Sequence, residues 1–320
     1  MRILVTGAAG FVGVAVCKAL SESGHRVTAV TRSPTATPLA AERIEVLGDL
    51  TGATDWSGVL AGIDAVVHLA GRAHVLKDDA RGAERLYRQA NVEVLEGLAR
   101  GAVGAGVKRL VFASSIKVNG EETFGVPFSA EAPPAPEDAY GKSKLEAEQR
   151  LREIAGNPMA TKTMEWVILR PPLMYGPGVR GNMARLFAIA DRGWPVPFRS
   201  IRNARDLLYV GSFADLIVRA VSVPAAENRV FLARDGEPLS TPDLFRRIAG
   251  ALGKRPILLP CPVSVLELIG RLTGRSAEVR RLIGNLEIDD GATRRLLAWE
   301  PRMSASAAMK LTADEYRSRR

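Results

Sequence analysis

The fold is decided by residues 3–13, whose sequence is ILVTGAAGFVG. The first four of these residues favour a buried strand, and the apolar residues after the glycines recur at helical spacing. Glycines between a strand and a helix allow a tight turn, and they let a pyrophosphate approach the backbone at the helix N-terminus. We therefore predict a dinucleotide-binding loop. Its five predicted cofactor contacts are Gly7, Gly10, Phe11, Val12 and Gly13.

Outward from this loop, apolar runs of strand length alternate with helical stretches through the first half of the chain. The further predicted strands span residues 26–30, 44–47, 65–69, 107–113 and 166–169. The predicted helices span residues 11–20, 79–105 and 139–155. Such alternation with right-handed crossovers produces a parallel sheet that is covered on both faces. The sequence therefore predicts an α/β protein with a Rossmann-type, doubly wound parallel sheet.

The pattern changes after residue 170, where prolines punctuate a loop-rich region. A strand-and-helix unit returns at residues 206–223, and helices separated by proline and glycine turns follow from residue 237 onward. We infer a second, smaller and discontinuous domain. The predicted division is a dinucleotide-binding domain of residues 1–170 and 205–235 and a substrate-binding domain of residues 171–204 and 236–320.

The composition is that of an ordinary globular protein, with 47% hydrophobic and 25% charged residues among 320. It excludes a disordered chain, a collagen-like chain and a disulfide-stapled miniprotein. The net charge is +9, but aromatic residues make up only 6% and the arginines alternate with acidic and apolar residues. This pattern predicts no nucleic-acid partner and favours attraction of an anionic substrate.

Metal binding and membrane insertion are not expected. Two cysteines and three histidines provide little material for a metal site, and the amino terminus does not resemble a signal peptide. These features predict a cytoplasmic protein. The most apolar stretch, residues 257–270, is short and interrupted by prolines and Glu267, which argues against stable membrane insertion. We interpret residues 257–284 as core packing, with a hydrophobic substrate wall or a membrane contact as alternatives.

The ends of the next three strands carry the remaining predicted cofactor contacts. Thr31 and Arg32 stand where an NAD site usually places an acid for the ribose, and an arginine there can pair with a 2′-phosphate. The pattern therefore favours NADP(H), with NAD(H) as the alternative. Asp49 is placed to accept a hydrogen bond from adenine. Small or apolar residues after the third and fourth strands leave room for a flat cofactor, and these are Leu50, Leu69, Ala70 and Gly71.

A candidate catalytic pair begins the predicted helix 139–155. Tyr140 and Lys144 are spaced i, i+4 and lie on one helix face. An ammonium beside a phenol is expected to lower the pKa of the phenol, so that Tyr140 can exchange a proton with an alcohol near neutral pH. Ser115 ends the fifth strand, at the sheet edge where ligands bind in this fold.

Together these motifs resemble the extended short-chain dehydrogenase/reductase family over nearly the whole chain. The TGxxGxxG loop, Ser115 and the YxxxK pair carry the likeness. Three later segments agree with it, RPPLMYGP at 170–177, RDLLYV at 205–210 and LAWEP at 297–301. The segment SSIKVNGE at 114–121 is similar to the nucleotide-sugar branch of the family, which includes epimerases and 4-ketoreductases of polysaccharide synthesis.

The resemblance implies roles for particular residues. Tyr140 is the acid/base, Lys144 holds the nicotinamide ribose, and Ser115 binds the reacting oxygen. Further expected contacts are Pro172 with the nicotinamide, Asn182 and Arg205 with the nucleotide diphosphate, and Lys117 with either the sugar or solvent. The resemblance also implies a homodimer that pairs the helices near 79–105 and 139–155.

Departures from the family pattern reduce the set of reactions that we expect this chain to catalyse. Ile116 and Lys117 replace the acid pair of sugar dehydratases, which excludes elimination of water. The main hypothesis is an NADP(H)-dependent 4-ketoreductase of a UDP-N-acetyl-6-deoxy sugar. The alternative is a UDP-sugar 4-epimerase that retains NAD. Less favoured hypotheses are a dehydrogenase for steroid-like or flavonoid-like alcohols and a non-catalytic dinucleotide sensor.

Overall fold

The computed structural model describes residues 1–73, 80–157 and 162–319. A sheet of seven strands forms its centre, and every neighbouring pair of strands is parallel. In spatial order the strands are β3 (Arg43–Val46), β2 (Arg26–Thr31), β1 (Arg2–Thr6), β4 (Ala65–His68), β5 (Arg109–Ala113), β6 (Glu165–Arg170) and β9 (Arg229–Leu232). The strand order reverses between β1 and β4, which opens a crevice at their carboxyl ends. The predicted Rossmann-type sheet is confirmed, and β9 is an additional edge strand.

Helices cover the sheet and build the rest of the chain. They are α1 (Phe11–Glu22), α2 (Ser57–Leu60), α3 (Ala80–Arg88), α4 (Val94–Ala105), α5 (Ala139–Ala155), α6 (Gly181–Asp191), α7 (Val210–Ser222), α8 (Thr241–Ala251), α9 (Val263–Leu272), α10 (Ser276–Ile283), α11 (Gly291–Leu297) and α12 (Ala305–Ser318). A separate two-stranded parallel sheet pairs β7 (Leu173–Tyr175) with β8 (Leu207–Tyr209). The helix predicted at 79–105 is divided by a π-helical turn at Gln89–Glu93, and its first residue lies outside the described residues.

Apolar side chains that point alternately to the two faces of each strand fill two hydrophobic cores, one on each face of the sheet. Ile3 and Val5 of β1 pack on the face covered by α1 and α7, whereas Leu4 packs on the face covered by α4 and α5. Successive side chains of a strand point to opposite faces, so both residue sets of a central strand are apolar. The sheet is therefore buried on both sides, and only the ends of its strands are open to ligands.

A third hydrophobic cluster lies in the second half of the chain. It joins α6, α8 and α12 through buried residues that include Phe187, Phe245 and Met309. Leu297 and Trp299, in contrast, pack into the sheet core beside α1 and α7. The division into two domains at the boundaries given above stays a prediction.

The apolar segment that precedes residue 284 is not simply core. Leu266 of α9 is 6% exposed, but Leu268 and Leu272 of the same helix are 54% and 78% exposed. The interpretation of this segment as core packing is therefore wrong for one face of α9, because that face has no partner among the described residues. Within the described ranges, no helix has the length and hydropathy that a bilayer-crossing segment needs.

Candidate active site

Close backbone packing shapes the loop between β1 and α1. Gly7 has a φ of +69°, and a Cβ atom there would lie 2.8 Å from the amide nitrogen of Ala70. A Cβ atom at Gly13 would lie 2.2 Å from the carbonyl oxygen of Gly7. Both positions therefore exclude any side chain. The result is a sharp turn that leaves the N-terminus of α1 beside the end of β4.

A cavity of about 1130 Å³ opens at this turn, at the reversal of strand order. The predicted cofactor contacts that line it are Gly7, Gly10, Thr31, Arg32, Asp49, Leu50, Leu69, Ala70 and Gly71. Phe11, Val12 and Gly13 are not among the lining residues, and Val12 packs against the sheet core instead. The volume is large enough for a dinucleotide. Together with the glycine turn, it shows that these residues fit such a cofactor.

The mouth of the cavity carries an ion pair that the sequence did not predict. Arg32 Nη1 lies 3.5 Å from Asp49 Oδ1, and the two side chains are 78% and 85% exposed. Thr31 is buried, and its hydroxyl is directed at the carbonyl oxygen of Glu45, 3.5 Å away. The arginine proposed to select a 2′-phosphate therefore already has a carboxylate beside it, which weakens the argument for NADP(H).

Ser115 and Tyr140 are brought together by β5 and α5. A hydrogen bond joins their side chains, and Ser115 Oγ also accepts one from the backbone nitrogen of Lys117 at 3.3 Å. Lys144 lies one turn further along α5, where Nζ donates to the carbonyl oxygen of Ala113 at 2.9 Å. The Nζ atom is 4.6 Å from the ring centroid of Phe112 and 6.0 Å from that of Tyr140. The three predicted catalytic residues thus form one cluster at the carboxyl end of β5.

The electrostatics of this cluster differ from the sequence-based expectation. Burial raises the pKa of Tyr140 to about 12, and the hydrogen bond from Ser115 opposes this rise without cancelling it. The expected lowering of the phenol pKa by Lys144 is therefore wrong for the free protein. Burial also lowers the pKa of Lys144 to about 8, because desolvation disfavours the ammonium form. At neutral pH the phenol of Tyr140 is consequently neutral, whereas Lys144 is still mostly in its ammonium form.

A residue that the sequence analysis missed connects this cluster to the cavity. Asn91 lies in the π-helical turn, is 1% exposed, and donates from Nδ2 to Ser143 Oγ at 2.9 Å. A Cβ atom on Gly71 would lie 2.9 Å from Asn91 Oδ1 and 3.5 Å from Lys144 Nζ. The ammonium of Lys144 is thus directly behind the cavity wall. No pattern in the sequence indicates the π-helical turn, since it interrupts a continuous helical period by one residue.

Lys117 contacts two carboxylates. Its Nζ atom lies 2.7 Å from Glu121 Oε1 and 2.5 Å from Asp138 Oδ2. Asp138 is also the N-cap of α5, since its Oδ1 accepts from the backbone nitrogen of Gly141 at 2.7 Å. Lys117 therefore joins the turn after Ser115 to the helix that carries Tyr140. From the sequence, Lys117 was expected to contact either the sugar or solvent, and a contact with the sugar stays a prediction.

The residues expected at the substrate diphosphate lie outside the dinucleotide cavity. Asn182 is exposed in the first turn of α6, and Arg205 donates from Nη1 to the carbonyl oxygen of Gly284 at 2.9 Å. Burial lowers the pKa of the Arg205 guanidinium; the nearby carboxylates of Glu121 and Glu122 oppose this shift, and the charge of Arg281 adds to it as a smaller cause. Pro172 is buried next to Pro171, whose carbonyl oxygen accepts from the backbone nitrogen of Ile116 at 3.0 Å.

His68 is a packed side chain at the end of β4. It is fully buried, stacks on Phe112 with ring centroids 5.8 Å apart, and shares a hydrogen bond of 2.8 Å with Thr6 Oγ1 through Nδ1. Burial lowers the pKa of His68 to about 3, with the charge of Lys144 as a smaller cause. The imidazole is therefore neutral at physiological pH and does not serve as a proton donor there.

A buried ion pair fixes α5 against the sheet behind the catalytic cluster. Glu148 is completely buried and accepts hydrogen bonds from Arg170 Nη2 at 2.6 Å and Arg170 Nε at 2.9 Å. Ser114 Oγ donates to the same carboxylate at 2.5 Å, and Arg170 Nη1 donates to Asn119 Oδ1 at 3.0 Å. The network holds the ends of β5 and β6 in register with α5, and the sequence analysis did not identify it.

Comparison with known proteins agrees with this geometry. The chain belongs to the NAD dependent epimerase/dehydratase family, whose model matches residues 3–232. It is 41% identical to a UDP-glucose 4-epimerase from Vibrio cholerae over 317 residues, which make up 98% of this chain and 95% of that protein. It is also 30% identical to a 2-alkyl-3-oxoalkanoate reductase from Stenotrophomonas maltophilia (strain K279a), with 89% of this chain and 86% of that protein covered.

A solved structure gives the same result for the fold. MoeE5 in complex with UDP-glucose and NAD has a TM-score of 0.79 and 25% identity, and the match covers 100% of this chain and 99% of that one. The resemblance to the nucleotide-sugar branch of the extended short-chain dehydrogenases is thereby confirmed. The comparisons favour the epimerase hypothesis over the 4-ketoreductase hypothesis.

Proposed function

We propose that this chain is a UDP-sugar 4-epimerase that retains NAD(H). The observation that carries the proposal is the cluster of Ser115, Tyr140 and Lys144, which lies directly behind the wall of a cavity that fits a dinucleotide. The similarity to the Vibrio cholerae epimerase over nearly the whole chain supports this chemistry. The UDP-glucose and NAD named for MoeE5 support the class of substrate and cofactor.

The residues of this chain have defined tasks in such a reaction. When bound, the dinucleotide supplies a hydride acceptor and donor for the sugar C4. Tyr140 exchanges a proton with the oxygen on C4, and Ser115 holds that oxygen by a hydrogen bond. Because burial raises the pKa of Tyr140 to about 12, the phenol starts as a proton donor and needs positive charge nearby before it can act as a base. The ammonium form of Lys144, whose Nζ atom lies 6.0 Å from the centroid of the Tyr140 ring, would supply such a charge.

Recognition of the nucleotide is assigned to the second half of the chain. Arg205 and Arg281 provide guanidinium groups, whose planar donor pattern matches phosphate oxygens. Asn182 offers an exposed amide at the start of α6. The catalytic cluster and these cations are separate sets of residues, so one set can bind the diphosphate while the other acts on the sugar.

The 4-ketoreductase hypothesis remains the second candidate because of Arg32. This side chain is 78% exposed at the cavity mouth, where it could contact a 2′-phosphate. A reductase would consume NADPH in each cycle and leave the purified protein without a bound nucleotide. An epimerase regenerates its cofactor and has no need to release it.

Cofactor content and turnover test the proposal directly. The purified protein is denatured and the released nucleotide is identified, and the native protein is then incubated with UDP-glucose or UDP-N-acetylglucosamine without added cofactor. We expect NAD(H) in the extract and formation of the C4 epimer. Release of no nucleotide, no epimer, and reduction of a UDP-4-keto sugar only with added NADPH would establish the reductase instead.

Two variants test whether turnover depends on the cluster of Ser115, Tyr140 and Lys144. Tyr140→Phe is expected to reduce turnover by at least about 100-fold and to leave the bound nucleotide in place. Tyr316→Phe is the matched control, since Tyr316 packs against Phe187 in α6 with ring centroids 5.7 Å apart, far along the chain from the cluster. Equal turnover in both variants would contradict the role of Tyr140.

A further inference from the structure

Helix α9 has an apolar stripe that faces solvent. Val265, Leu268, Ile269 and Leu272 are 42%, 54%, 49% and 78% exposed. Their spacing is i, i+3, i+4 and i+7, so the four side chains share one side of the helix. A stripe of this width normally packs against a protein core. Here it is displayed on the surface of the part of the chain that the structure describes.

Folding of the chain does not explain this stripe, because α9 is anchored by its other side. Leu266 is 6% exposed in the third hydrophobic cluster. Gly270 is buried, and a Cβ atom there would lie 2.9 Å from Val279 Cγ2 of α10, so the two helices are in close contact at this point. The helix therefore has its packing partners already, and the exposed stripe is a second apolar face.

Exposed cationic side chains flank the stripe along the sequence. Arg271 follows Ile269 on α9, Arg275 lies just beyond the end of the helix, and Lys254 and Arg255 precede the segment. All four side chains are exposed, and none of them forms an ion pair with a described residue. By helix geometry, Glu267 and Arg271 lie about 150° and about 110° around α9 from the centre of the stripe, so Arg271 is at its edge and Glu267 is behind it. The stripe is therefore apolar, with exposed cations at its edge and beyond its ends.

Neighbouring segments extend the apolar surface. Ile257 and Leu259 are 50% and 47% exposed just before α9, and they flank a short bridge to Val196. The backbone nitrogen of Val196 donates to the carbonyl oxygen of Ile257 at 3.0 Å, and Trp194 precedes Val196 by two residues. Trp194 is 54% exposed and has the guanidinium of Arg192 at 5.0 Å from its ring. Tryptophan is enriched at membrane–water interfaces, where its amphipathic ring lies at the level of the headgroups.

We propose that this face, formed by α9 with residues 254–259, docks on the surface of an anionic lipid bilayer. Leu, Ile and Val side chains would enter the boundary between headgroups and acyl chains, while Arg271 and Arg275 pair with lipid phosphates. Charge complementarity favours lipid over a protein partner, because the exposed cations that flank the stripe in the sequence have no ion pair among the described residues and a bilayer presents phosphates at every point. The docking is peripheral, and it does not depend on the reaction proposed above.

Vesicle sedimentation tests the proposal with the full-length protein. Phosphatidylcholine vesicles with and without phosphatidylglycerol are mixed with the protein, and the bound fraction is measured. We expect binding only with phosphatidylglycerol. The double variant Leu268→Ser/Leu272→Ser is expected to bind at least about tenfold more weakly. Arg271→Gln/Arg275→Gln is expected to lose about fivefold for each arginine removed and to bind with less dependence on salt.

Two matched control variants test whether the loss of vesicle binding is specific to the proposed docking face. Val126→Ser removes an apolar side chain that is 75% exposed elsewhere, and Arg295→Gln removes an exposed cation of α11. Both controls should bind vesicles as the unchanged protein does. Retained helical content and melting temperature show that the variants fold.

Three outcomes would overturn the docking. Equal sedimentation with both kinds of vesicle, or none with either, would exclude an anionic bilayer as the partner. Equal weakening by the control variants would show that the effect is not specific to this face. A dimer in solution that dissociates only in Leu268→Ser/Leu272→Ser would assign the face to contact between copies of the chain instead.

Discussion

The ammonium of Lys117 lies 2.5 Å from the carboxylate of Asp138, the residue that caps the helix carrying Tyr140. Lys117 follows Ser115 by two residues, and its backbone nitrogen donates to the serine hydroxyl at 3.3 Å. One side chain thus couples the positions of the two groups that share the catalytic hydrogen bond. We expect Lys117 to act through Asp138 and Ser115 as a positioning residue.

Lys117→Met is expected to reduce kcat by about 10- to 100-fold, because displacement of Ser115 relative to Tyr140 weakens the alignment on which proton transfer depends. Bound cofactor and the KM for the UDP-sugar should change little.

Asp138→Asn retains the helix cap and loses the ion pair, whereas Asp138→Ala loses both and should unfold about 1 kcal/mol more easily. Arg150→Met, which removes an exposed pair with Glu153 on the same helix, serves as the control. Unchanged kcat in Lys117→Met would contradict the coupling.

The burial of Lys144 predicts a pH-dependent cost to stability. Because burial lowers the pKa of Lys144 to about 8, the unfolded chain binds this proton more tightly than the folded chain. The loss of folding stability caused by burying the ammonium is fully present below about pH 8. It disappears as the pH rises past the pKa of lysine in the unfolded chain, which is about 10.4. Lys144→Met should therefore raise the free energy of unfolding at pH 7 by about 1–3 kcal/mol while abolishing turnover.

Urea unfolding at pH 7 and at pH 10 measures this effect, and the advantage of the variant should shrink at the higher pH. Lys142→Met is the matched control, since Lys142 is exposed on the same helix and its replacement should change stability by less than about 0.5 kcal/mol. A variant less stable than the parent protein at pH 7 would show that the hydrogen bond to Ala113 outweighs the cost of desolvation.

The pair of Glu148 and Arg170 gives a third prediction, on stability. Both side chains are almost fully buried, so removal of one leaves an uncompensated charge. Glu148→Gln is expected to lower the free energy of unfolding by about 3–5 kcal/mol. Glu148→Leu/Arg170→Met should recover most of that loss, because no buried charge remains. Denaturant titration of the single and double variants measures the coupling between Glu148 and Arg170. Changes in the free energy of unfolding that simply add in the double variant would refute the coupling.

The contact of Arg32 with Asp49 gives a prediction on cofactor choice. Asp49→Asn removes the carboxylate beside the guanidinium and should improve binding of NADP⁺ relative to NAD⁺ by about two- to fivefold, which is the scale of an exposed ion pair. Arg32→Ala should shift the ratio in the opposite direction. Dissociation constants for both nucleotides, measured at low and high salt, check the effect. Ratios that do not move in either variant would show that the cavity mouth does not select the cofactor.

Local patterns in the sequence predicted much of the fold and the composition of the candidate site. The strand-and-helix alternation predicted the parallel sheet, but β9, residues 229–232, was not among the predicted strands. The glycine turn and the strand ends predicted nine of the residues that line the cavity. These features depend on neighbours within a few residues, where backbone sterics and hydrophobic periodicity decide the conformation.

Tertiary structure decided the charge states and partners of the catalytic cluster. Lys117 and Asp138 are 21 residues apart in the chain, and Glu148 and Arg170 are 22 apart, so no local pattern pairs them. The sequence placed Tyr140 and Lys144 on one helix face and predicted a lowered phenol pKa, whereas burial raises it to about 12. The sequence by itself thus determined which residues are present at the site. Only the fold determined how far each is removed from water, and desolvation depends on atoms contributed from the whole chain.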